Sequence, residues 1–160
     1  YTQNFLSKYF VALTYTGRRR RFDLSRYSKE ALAKAKRQSI NSRIQGTSSD
    51  IVMTNLVGIN NMLEYTKLGK ILLTVHDSIC FQFRKDKLHL AKPMLDAILV
   101  QWTAKRYPWL PVKWKYDAAY GPNYGDCHGE LPISDKSFIE LCKEDNIEMS
   151  EKMFENIMNM

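Results

Sequence analysis

The stretch ILLTVHDSICFQF, from Ile71 to Phe83, holds two apolar runs of strand length separated by His76, Asp77 and Ser78. The two runs favour strands, and the polar break between them predicts a tight hairpin turn. We expect both strands to be buried, which makes an ionised Asp77 between them costly unless it is paired or coordinates a metal. Asp77 is therefore a candidate ligand of a divalent cation, and the alternative is a turn aspartate bonded to its own backbone amides.

The composition describes a globular domain with a core of its own. The chain has 160 residues, of which 44% are hydrophobic and 26% are charged, so neither a disordered nor a fibrous class is indicated. The three cysteines lie far apart without a C-x-x-C pair, which argues against a disulfide framework and a zinc site. No apolar run approaches the length of a membrane span, and we expect a cytoplasmic protein without membrane contact.

Charge divides the sequence into two parts. Residues 1–125 hold 21 Lys and Arg against 8 Asp and Glu, whereas residues 126–160 hold 3 against 9. A strongly basic body favours binding to a phosphate backbone, because each neutralised phosphate releases counterions. The acidic part cannot lie on the same phosphates, and we expect it to meet a different partner.

Besides a first segment with helix-like spacing at Phe5, Leu6, Tyr9, Phe10 and Leu13, two helices are expected on the amino-terminal side of the hairpin. Ser28 has the position of an N-cap for a basic helix, and Gly46 is expected to end that helix. Thr47 and Asp50 have the spacing of a capping box, which predicts a second helix that starts near Thr47.

Helices and one further strand are expected after the hairpin. Residues 85–107 have an amphipathic helical pattern, and residues 112–120 alternate like a strand. Beyond about Gly129, two short amphipathic helices are expected to open at Ser134 and Ser150. The elements together predict an α+β fold in which antiparallel strands pack against helices, with a helical extension at the C-terminus.

Three polar residues on the basic helix share one side of it. Arg37, Asn41 and Gln45 lie four residues apart, so their side chains line one face. Donors in such a row can reach the acceptors that every base pair presents in the DNA minor groove. The alternative is the solvated face of an ordinary surface helix.

A cluster of cations precedes this helix in the segment TYTGRRRRFDL, where Gly17 predicts a hairpin turn. Guanidinium groups on the second arm of such a hairpin match phosphate oxygens in geometry and charge. A solvated basic loop or a localisation signal is the alternative. The four candidates for phosphate contact are Arg18, Arg19, Arg20 and Arg21.

Four motifs in this order resemble the C-terminal part of the palm of A-family DNA polymerases, the bacterial polymerase I type and its phage replicase relatives. They are TGRRRRF, RQSINSRIQGTSSDI, LLTVHDSICFQF and GPNYGDCH, and they span most of Tyr15 to His128. Each motif is weak alone, whereas four at the family's spacings are specific. The resemblance implies that residues 1–128 are a palm portion of a template-directed DNA polymerase, with residues 129–160 as an acidic helical extension.

The resemblance also implies a role for each candidate residue. Asp77 matches the motif C aspartate, one of two carboxylates that bind the Mg2+ pair for nucleotidyl transfer from a dNTP to the primer 3′ hydroxyl. His76 matches a histidine near the primer terminus. The row on the helix matches residues on the minor-groove side of template and primer, and the four arginines match a hairpin close to the duplex backbone. The implied partners are primer-template DNA and a dNTP, in the cytoplasm of a bacterium or an infected host cell.

Two departures from the family pattern define the alternatives. Ser78 stands where these polymerases usually have Glu, and HDS is similar to single-subunit RNA polymerases, so Ser78 is a possible site residue and an RNA product is an alternative. Nothing in residues 1–13 resembles the preceding motif A strand or the fingers helix. We therefore expect either a fragment or one chain of a split polymerase, whose complementary chain carries motif A and the fingers. A non-catalytic module that binds duplex DNA is the remaining alternative.

The acidic extension carries apolar side chains at helical spacing, among them Phe138, Leu141 and Ile157. One interpretation is that these faces dock on the complementary chain or on a processivity partner. The other is that they pack on the domain that carries them.

Overall fold

A computed structural model describes Tyr9, residues 11–22 and residues 28–160. Helices and small antiparallel sheets alternate along these residues, which confirms the predicted α+β fold. In this part of the chain no helix combines the length and the apolarity that crossing a membrane requires. The chain divides into two compact units, Tyr1–Met53 and Thr54–Met160. The strands and helices, in chain order, are β1 (Val11–Leu13), β2 (Arg19–Arg21), α1 (Lys29–Thr66), β3 (Gly69–Val75), β4 (Ser78–Phe83), α2 (Ala91–Leu95), α3 (Thr103–Arg106), β5 (Ala119–Tyr120), β6 (Gly129–Glu130), α4 (Phe138–Glu144) and α5 (Glu151–Asn159).

One helical segment, residues 85–106, combines several types of helix. A 3-10 stretch (Lys85–Leu90) leads into α2, and a π-helical stretch (Asp96–Trp102) joins α2 to α3. Pro93 lies in the first turn of α2, where a proline is tolerated. The helix predicted over residues 85–107 is thus confirmed apart from a kink at Lys87, whose φ of −118° and ψ of 17° are not helical, and its last residue, Tyr107.

In the first unit, β1 and β2 pair antiparallel, with Val11 opposite Arg21 and Leu13 opposite Arg19. Gly17 has a φ of +95° in the connecting turn, a conformation that glycine reaches without steric cost. The hairpin predicted at this glycine is therefore confirmed. The helix-like spacing expected up to Leu13 is wrong at its end, because Val11–Leu13 forms β1, and Phe5, Leu6 and Phe10 lie outside the described residues. Among the described residues of this unit, Ala12, Phe22 and Ala35 form a small buried cluster.

Helix α1 runs without interruption from Lys29 to Thr66, so the expected break at Gly46 is wrong. The Ser28 hydroxyl accepts a hydrogen bond from the Ala31 amide at 3.3 Å, as expected of a cap. A Cβ at Gly46 would lie 2.7 Å from Thr14 Cγ2. Glycine costs a helix about 1 kcal/mol relative to alanine, and here its missing side chain lets the upstream hairpin approach the helix closely.

The core of the second unit forms around one face of α1. Ile59, Met62 and Leu63 have at most 1% of their surface exposed, and their spacing of one to four residues places them on the same side of the helix. Full burial of such side chains stabilises a fold by roughly 1.5–3 kcal/mol each. The other buried members of this core are Leu68, Leu90, Met94, Leu95, Ile98, Phe138, Leu141, Cys142, Met149, Ile157 and Met158.

β3 and β4 form the hairpin predicted for Ile71 to Phe83, with a two-residue turn at His76 and Asp77. The strands pair up to Val75 and Ser78, on either side of the turn. His76 has a φ of +55°, in the left-handed region that residues other than glycine seldom adopt. Two-residue hairpin loops favour a positive φ at the first central position, so the turn itself imposes this conformation on His76.

The hairpin is less buried than the sequence predicts. Its base is half-buried, because Ile71, Phe81 and Phe83 pack against the core of the second unit. Further out, Leu72 is 54% exposed and Val75 is 41% exposed. The expectation that both strands are buried is therefore wrong. An alternating apolar pattern shows which side chains share a face, and it does not show whether another element covers that face.

Residues 107–118 connect the helical segment to β5 without regular structure of their own. The strand predicted over residues 112–120 is wrong apart from its last two residues, which pair as β5 with β6. Tyr116 holds the segment instead: its hydroxyl donates to Asp96 Oδ1 at 2.7 Å, and Lys92 Nζ lies 2.8 Å from Asp96 Oδ2. Burial, with the Asp96 charge, raises the pKa of Tyr116 and keeps the phenol protonated as a donor.

The acidic extension, residues 129–160 and from here on called the tail, contains two capped helices. The Ser137 hydroxyl accepts from the Glu140 amide at 3.3 Å, and the Glu140 carboxylate accepts from the Ser137 amide at 2.8 Å, which makes a capping box at α4. Ser150 caps α5 through the Met153 amide at 3.3 Å. The start predicted at Ser150 is confirmed, and the one predicted at Ser134 lies three residues too early, because Ser137 is the residue that can form the box with Glu140.

Two leucine substitutions test the position of the core. Leu63→Ala removes a fully buried side chain, and we expect it to lower the free energy of unfolding by about 2–5 kcal/mol. Leu72→Ala removes the same atoms from a side chain that is more than half exposed, and should cost less than about 1 kcal/mol. Urea denaturation followed by far-UV circular dichroism measures both free energies. Equal losses would contradict the described core.

The turn conformation gives a second stability prediction. Because His76 has a positive φ, we expect His76→Gly to be more stable to urea than His76→Ala by about 1 kcal/mol. The matched pair is Gln82→Gly and Gln82→Ala at an exposed strand position. There the order should reverse, since glycine weakens a strand interior. The same order at both sites would exclude the left-handed conformation at His76.

Candidate nucleic-acid interface and carboxylate turn

The four arginines predicted to bind phosphate fall into two pairs. Arg18 Nε lies 2.7 Å from Asp50 Oδ1, and Arg18 Nη2 donates to the Gly46 carbonyl at 3.1 Å. Arg20 Nη1 donates to Ser42 Oγ at 2.7 Å. Arg18 and Arg20 are therefore engaged with α1, where they hold the hairpin on the helix.

Arg19 and Arg21 form the other pair. Successive side chains along a strand point to opposite faces, so these two point away from the side that Arg18 and Arg20 occupy. Both are exposed, and neither has a side-chain hydrogen bond or ion pair within the described residues. Of the predicted arginines, Arg19 and Arg21 are the ones whose guanidinium groups are available to phosphate oxygens.

Further contacts fix this hairpin on α1. The Tyr15 amide donates to Thr47 Oγ1 at 2.9 Å, and the Arg43 guanidinium lies 4.2 Å from the centre of the Tyr15 ring. Thr16 donates a short hydrogen bond to Asp50. With several attachments along two turns of helix, the strand that carries the outer arginines has a fixed position.

Asp50 is a residue whose role the sequence analysis missed. It was expected to cap a second helix, and it instead accepts from both Thr16 and Arg18. The spacing of Asp50 in the sequence could have indicated this role. Asp50 follows Gly46 by four residues, so it lies on the side of α1 that the hairpin approaches.

The predicted polar row lies on another side of α1. At 3.6 residues per turn, Arg37 and Asn41 point away from the face that meets the hairpin, and Gln45 lies on the flank. All three are exposed, and Arg37 and Asn41 line an open depression on the helix surface. The structure thus brings the row together, as predicted, and it does not place the row on the same face as Arg19 and Arg21.

His76 and Asp77 belong to the second unit, at the tip of the β3–β4 hairpin. Both are exposed, and neither side chain has a hydrogen bond or ion pair among the residues that the structure describes. Ser78, the possible third site residue, is exposed beside them and its backbone pairs with Val75. The tip therefore presents a carboxylate, an imidazole and a hydroxyl to solvent, so Asp77 bears no burial cost within this chain.

A metal site built entirely from protein side chains needs several ligating groups close together. Nowhere in residues 11–22 and 28–160 do three or more His, Cys, Asp or Glu side chains come together around one position. Within the described residues, Asp77 is therefore not part of such a cluster.

The chain is similar in sequence to one protein family and to several curated proteins. Residues 2–126 match the family model of DNA polymerase family A. The DNA polymerase of Bacillus phage SP01 is 32% identical over 157 residues, covering 91% of this chain and 17% of the phage protein. DNA polymerase I of Chloroflexus aurantiacus is 30% identical over 114 residues, or 71% of this chain, and that of Bacillus subtilis is 28% identical over 93 residues, or 58%. No solved structure gives a significant match.

These matches cover the chain unequally. The chain spans less than a fifth of the length of the curated relatives that it matches: 17% of the phage polymerase and 12% and 10% of the two bacterial ones. A match over 91% of the chain must include more than half of residues 127–160, which lie beyond the family model. Since the family model covers more than three quarters of the sequence, the chain belongs to DNA polymerase family A.

Proposed function

We propose that this chain supplies part of the palm of a template-directed DNA polymerase, with residues 1–128 as the palm portion and residues 129–160 as an addition to it. Membership in family A supports a DNA-directed nucleotidyltransferase. The observation that carries the site is the exposure of Asp77 in a two-residue turn at a hairpin tip. A carboxylate held there, without a side-chain bond in the described part of the chain, is open to a ligand from outside.

Asp77 would be one ligand of Mg2+, which proteins hold through one or two carboxylates together with substrate phosphates. Its exposed position fits an ion shared with substrate oxygens, because those oxygens have access to it. We infer that a second carboxylate comes from a complementary polymerase segment that carries motif A and the fingers. When bound, Mg2+ would supply Lewis-acid stabilisation of the negative charge on the transferred phosphoryl group.

His76 would position the end of the primer. Its ring is exposed next to Asp77, and an imidazole nitrogen can donate a hydrogen bond to a sugar or phosphate oxygen. The turn holds the backbone of His76 at a positive φ. Ser78 could contribute a hydroxyl at the same tip, in place of the glutamate that polymerases of this family usually have.

The first unit would bind the DNA duplex. Arg37, Asn41 and Gln45 carry donors on an exposed helix face, and such donors can reach minor-groove acceptors without reading sequence. Arg19 and Arg21 would neutralise backbone phosphates. Because the two sets face different directions, they would contact separate stretches of the nucleic acid.

DNA is the better supported product. The relatives reported above are all named as DNA polymerases, which favours deoxyribonucleotides over the RNA polymerase alternative that Ser78 raises. A non-catalytic duplex-binding module would keep the basic first unit and have no use for Asp77. The role of this single carboxylate therefore separates the enzyme from the module.

Primer extension by the native particle that contains this chain tests the role of Asp77. We expect Asp77→Asn to lower the rate of dNTP incorporation with Mg2+ by at least about a hundredfold, because it removes a ligand charge needed in the transition state. The affinity for primer-template should stay within about twofold, since binding rests on the basic first unit.

The matched control is Asp117→Asn, which removes another exposed carboxylate of the same unit. It should leave the rate of extension unchanged. Full extension by Asp77→Asn would exclude the enzyme and favour the binding module, and faster incorporation of ribonucleotides would favour the RNA polymerase alternative.

The arginine pairs predict different salt dependence of DNA binding. Arg19→Gln and Arg21→Gln should each reduce the slope of log affinity against log salt by about 1, because each removes one phosphate contact. Arg18→Gln should change this slope by much less, since its guanidinium is bound to Asp50. Fluorescence anisotropy with labelled duplex over a series of salt concentrations measures the slopes. Equal reductions for all three variants would overturn the division into pairs.

A further inference from the structure

Residues 127–160 lie beyond the part of the chain that matches the family model. Helices α4 and α5 have 7 and 9 residues, and helices this short are not stable alone in water. Their stability must come from the side chains that they bury. Phe138, Cys142 and Ile157 are each at most 4% exposed and belong to the core of the second unit.

Met158 fits into a notch that a glycine makes on α1. Its Sδ lies 3.0 Å from the position that a Cβ on Gly58 would take, and its Cε lies closer still. A side chain at position 58 would therefore displace Met158. Nearby, Asn61 Nδ2 donates to the Ile157 carbonyl at 3.3 Å. Together the two contacts fix α5 on α1 in one register.

Opposite charges attach the tail to both ends of the 85–106 helical segment. Lys87 Nζ and His89 Nε2 lie 3.0 and 2.8 Å from the two carboxylate oxygens of Asp145. The Lys87 hydrogen bond, with the charges of His89 and Lys87, holds the pKa of the Asp145 carboxyl below its usual range. At the other end, Lys105 forms an ion pair with Glu155. Acidic residues of the tail thus have basic partners within their own unit.

The core that receives the tail also supports the base of the β3–β4 hairpin. Ile71, Ile79, Phe81 and Phe83 pack against it, and the Arg84 amide closes the base by donating to the Leu68 carbonyl at 2.7 Å. The outer part of the hairpin is exposed, so contacts at its base determine where its tip lies.

We propose that residues 137–159 are a brace that holds the base of the hairpin and thereby positions Asp77, a role that rests on the proposed function. Met158 and Asp145 are its positioning residues: one fills the Gly58 notch, and the other joins α4 to the 85–106 segment. The brace acts through packing, without contact to substrate.

Two substitutions loosen the brace mildly, each with a matched control in the tail. Met158→Ala empties the notch, and Met160→Ala removes the same atoms from a side chain that is 89% exposed. Asp145→Asn removes the carboxylate charge that contacts Lys87 and His89, and Asp135→Asn changes an exposed carboxylate that has no side-chain bond within the described residues. All four variants are compared at temperatures where urea curves show them to be fully folded.

Hydrogen exchange of backbone amides is the first measurement. In Met158→Ala and Asp145→Asn, exchange in β3 and β4 should speed up by at least about fivefold, while exchange in residues 29–53 stays unchanged. The two controls should match the unsubstituted chain. Faster exchange confined to α4 and α5 would overturn the brace, because the tail would then stabilise only itself. If Asp145→Asn does not fold, the exchange rates of β3 and β4 in Met158→Ala alone test the brace.

Primer extension by the native particle is the second measurement. We expect Met158→Ala and Asp145→Asn to lower the maximal rate by about three- to tenfold with DNA affinity unchanged, as displacement of a catalytic group does. If Asp77→Asn extends primers normally, the proposed function fails, and the exchange data still decide the brace. In the other outcome, Asp77→Asn is inactive while both brace variants extend primers at the full rate and their amide exchange in β3 and β4 is as slow as in the unsubstituted chain. That result would overturn the brace and leave the proposed function intact.

Discussion

The packing of one face of α1 is the interaction on which the second unit depends. Ile59, Met62 and Leu63 are almost completely buried, and the 85–106 segment, the base of the β3–β4 hairpin and the two tail helices all pack against this one core. None of these elements has enough apolar surface to be stable alone: the tail helices have 7 and 9 residues, and a lone two-stranded hairpin is marginal in water. The position of the His76–Asp77 turn therefore depends on the packing of these helices.

The sequence predicts the elements of this unit better than it predicts what covers them. The apolar runs on either side of His76 and Asp77 indicate a hairpin because strands and tight turns leave local signals, and the cap at Ser150 is local for the same reason. Burial is a property of the whole fold, and the exposure of Leu72 depends on elements that a strand pattern does not specify. The expected break at Gly46 fails similarly, because a glycine that ends a helix and one that admits a neighbour look alike in sequence.

The four arginines from Arg18 to Arg21 do not all have the phosphate-binding position that the sequence predicts for them as a group. Four consecutive cations predict a phosphate-binding arm, and the strand places alternate side chains on opposite faces. Arg18 and Arg20 meet acceptors on α1, so their charges serve the fold, whereas Arg19 and Arg21 remain available to a partner. The alternation could have been applied to the sequence, but the side that faces the helix depends on Asp50 and Ser42, which are distant in the chain.

The backbone conformation of His76 bears on its proposed role independently of the sequence resemblance to family A polymerases. Three residues other than glycine have a positive φ in the described chain: Lys67, His76 and Asn146. Lys67 directly follows α1, and Asn146 lies two residues after the end of α4, where its amide donates to the Lys143 carbonyl; a left-handed residue commonly ends a helix at such positions. His76 stands in a two-residue hairpin loop, for which glycine or asparagine is the cheaper choice. A residue held in this region costs of order 1 kcal/mol, and an exposed imidazole returns nothing to packing in this unit. The turn requires this conformation of whichever residue stands at position 76, and a contact between the imidazole and the primer end, as proposed above, would offset the cost of histidine there.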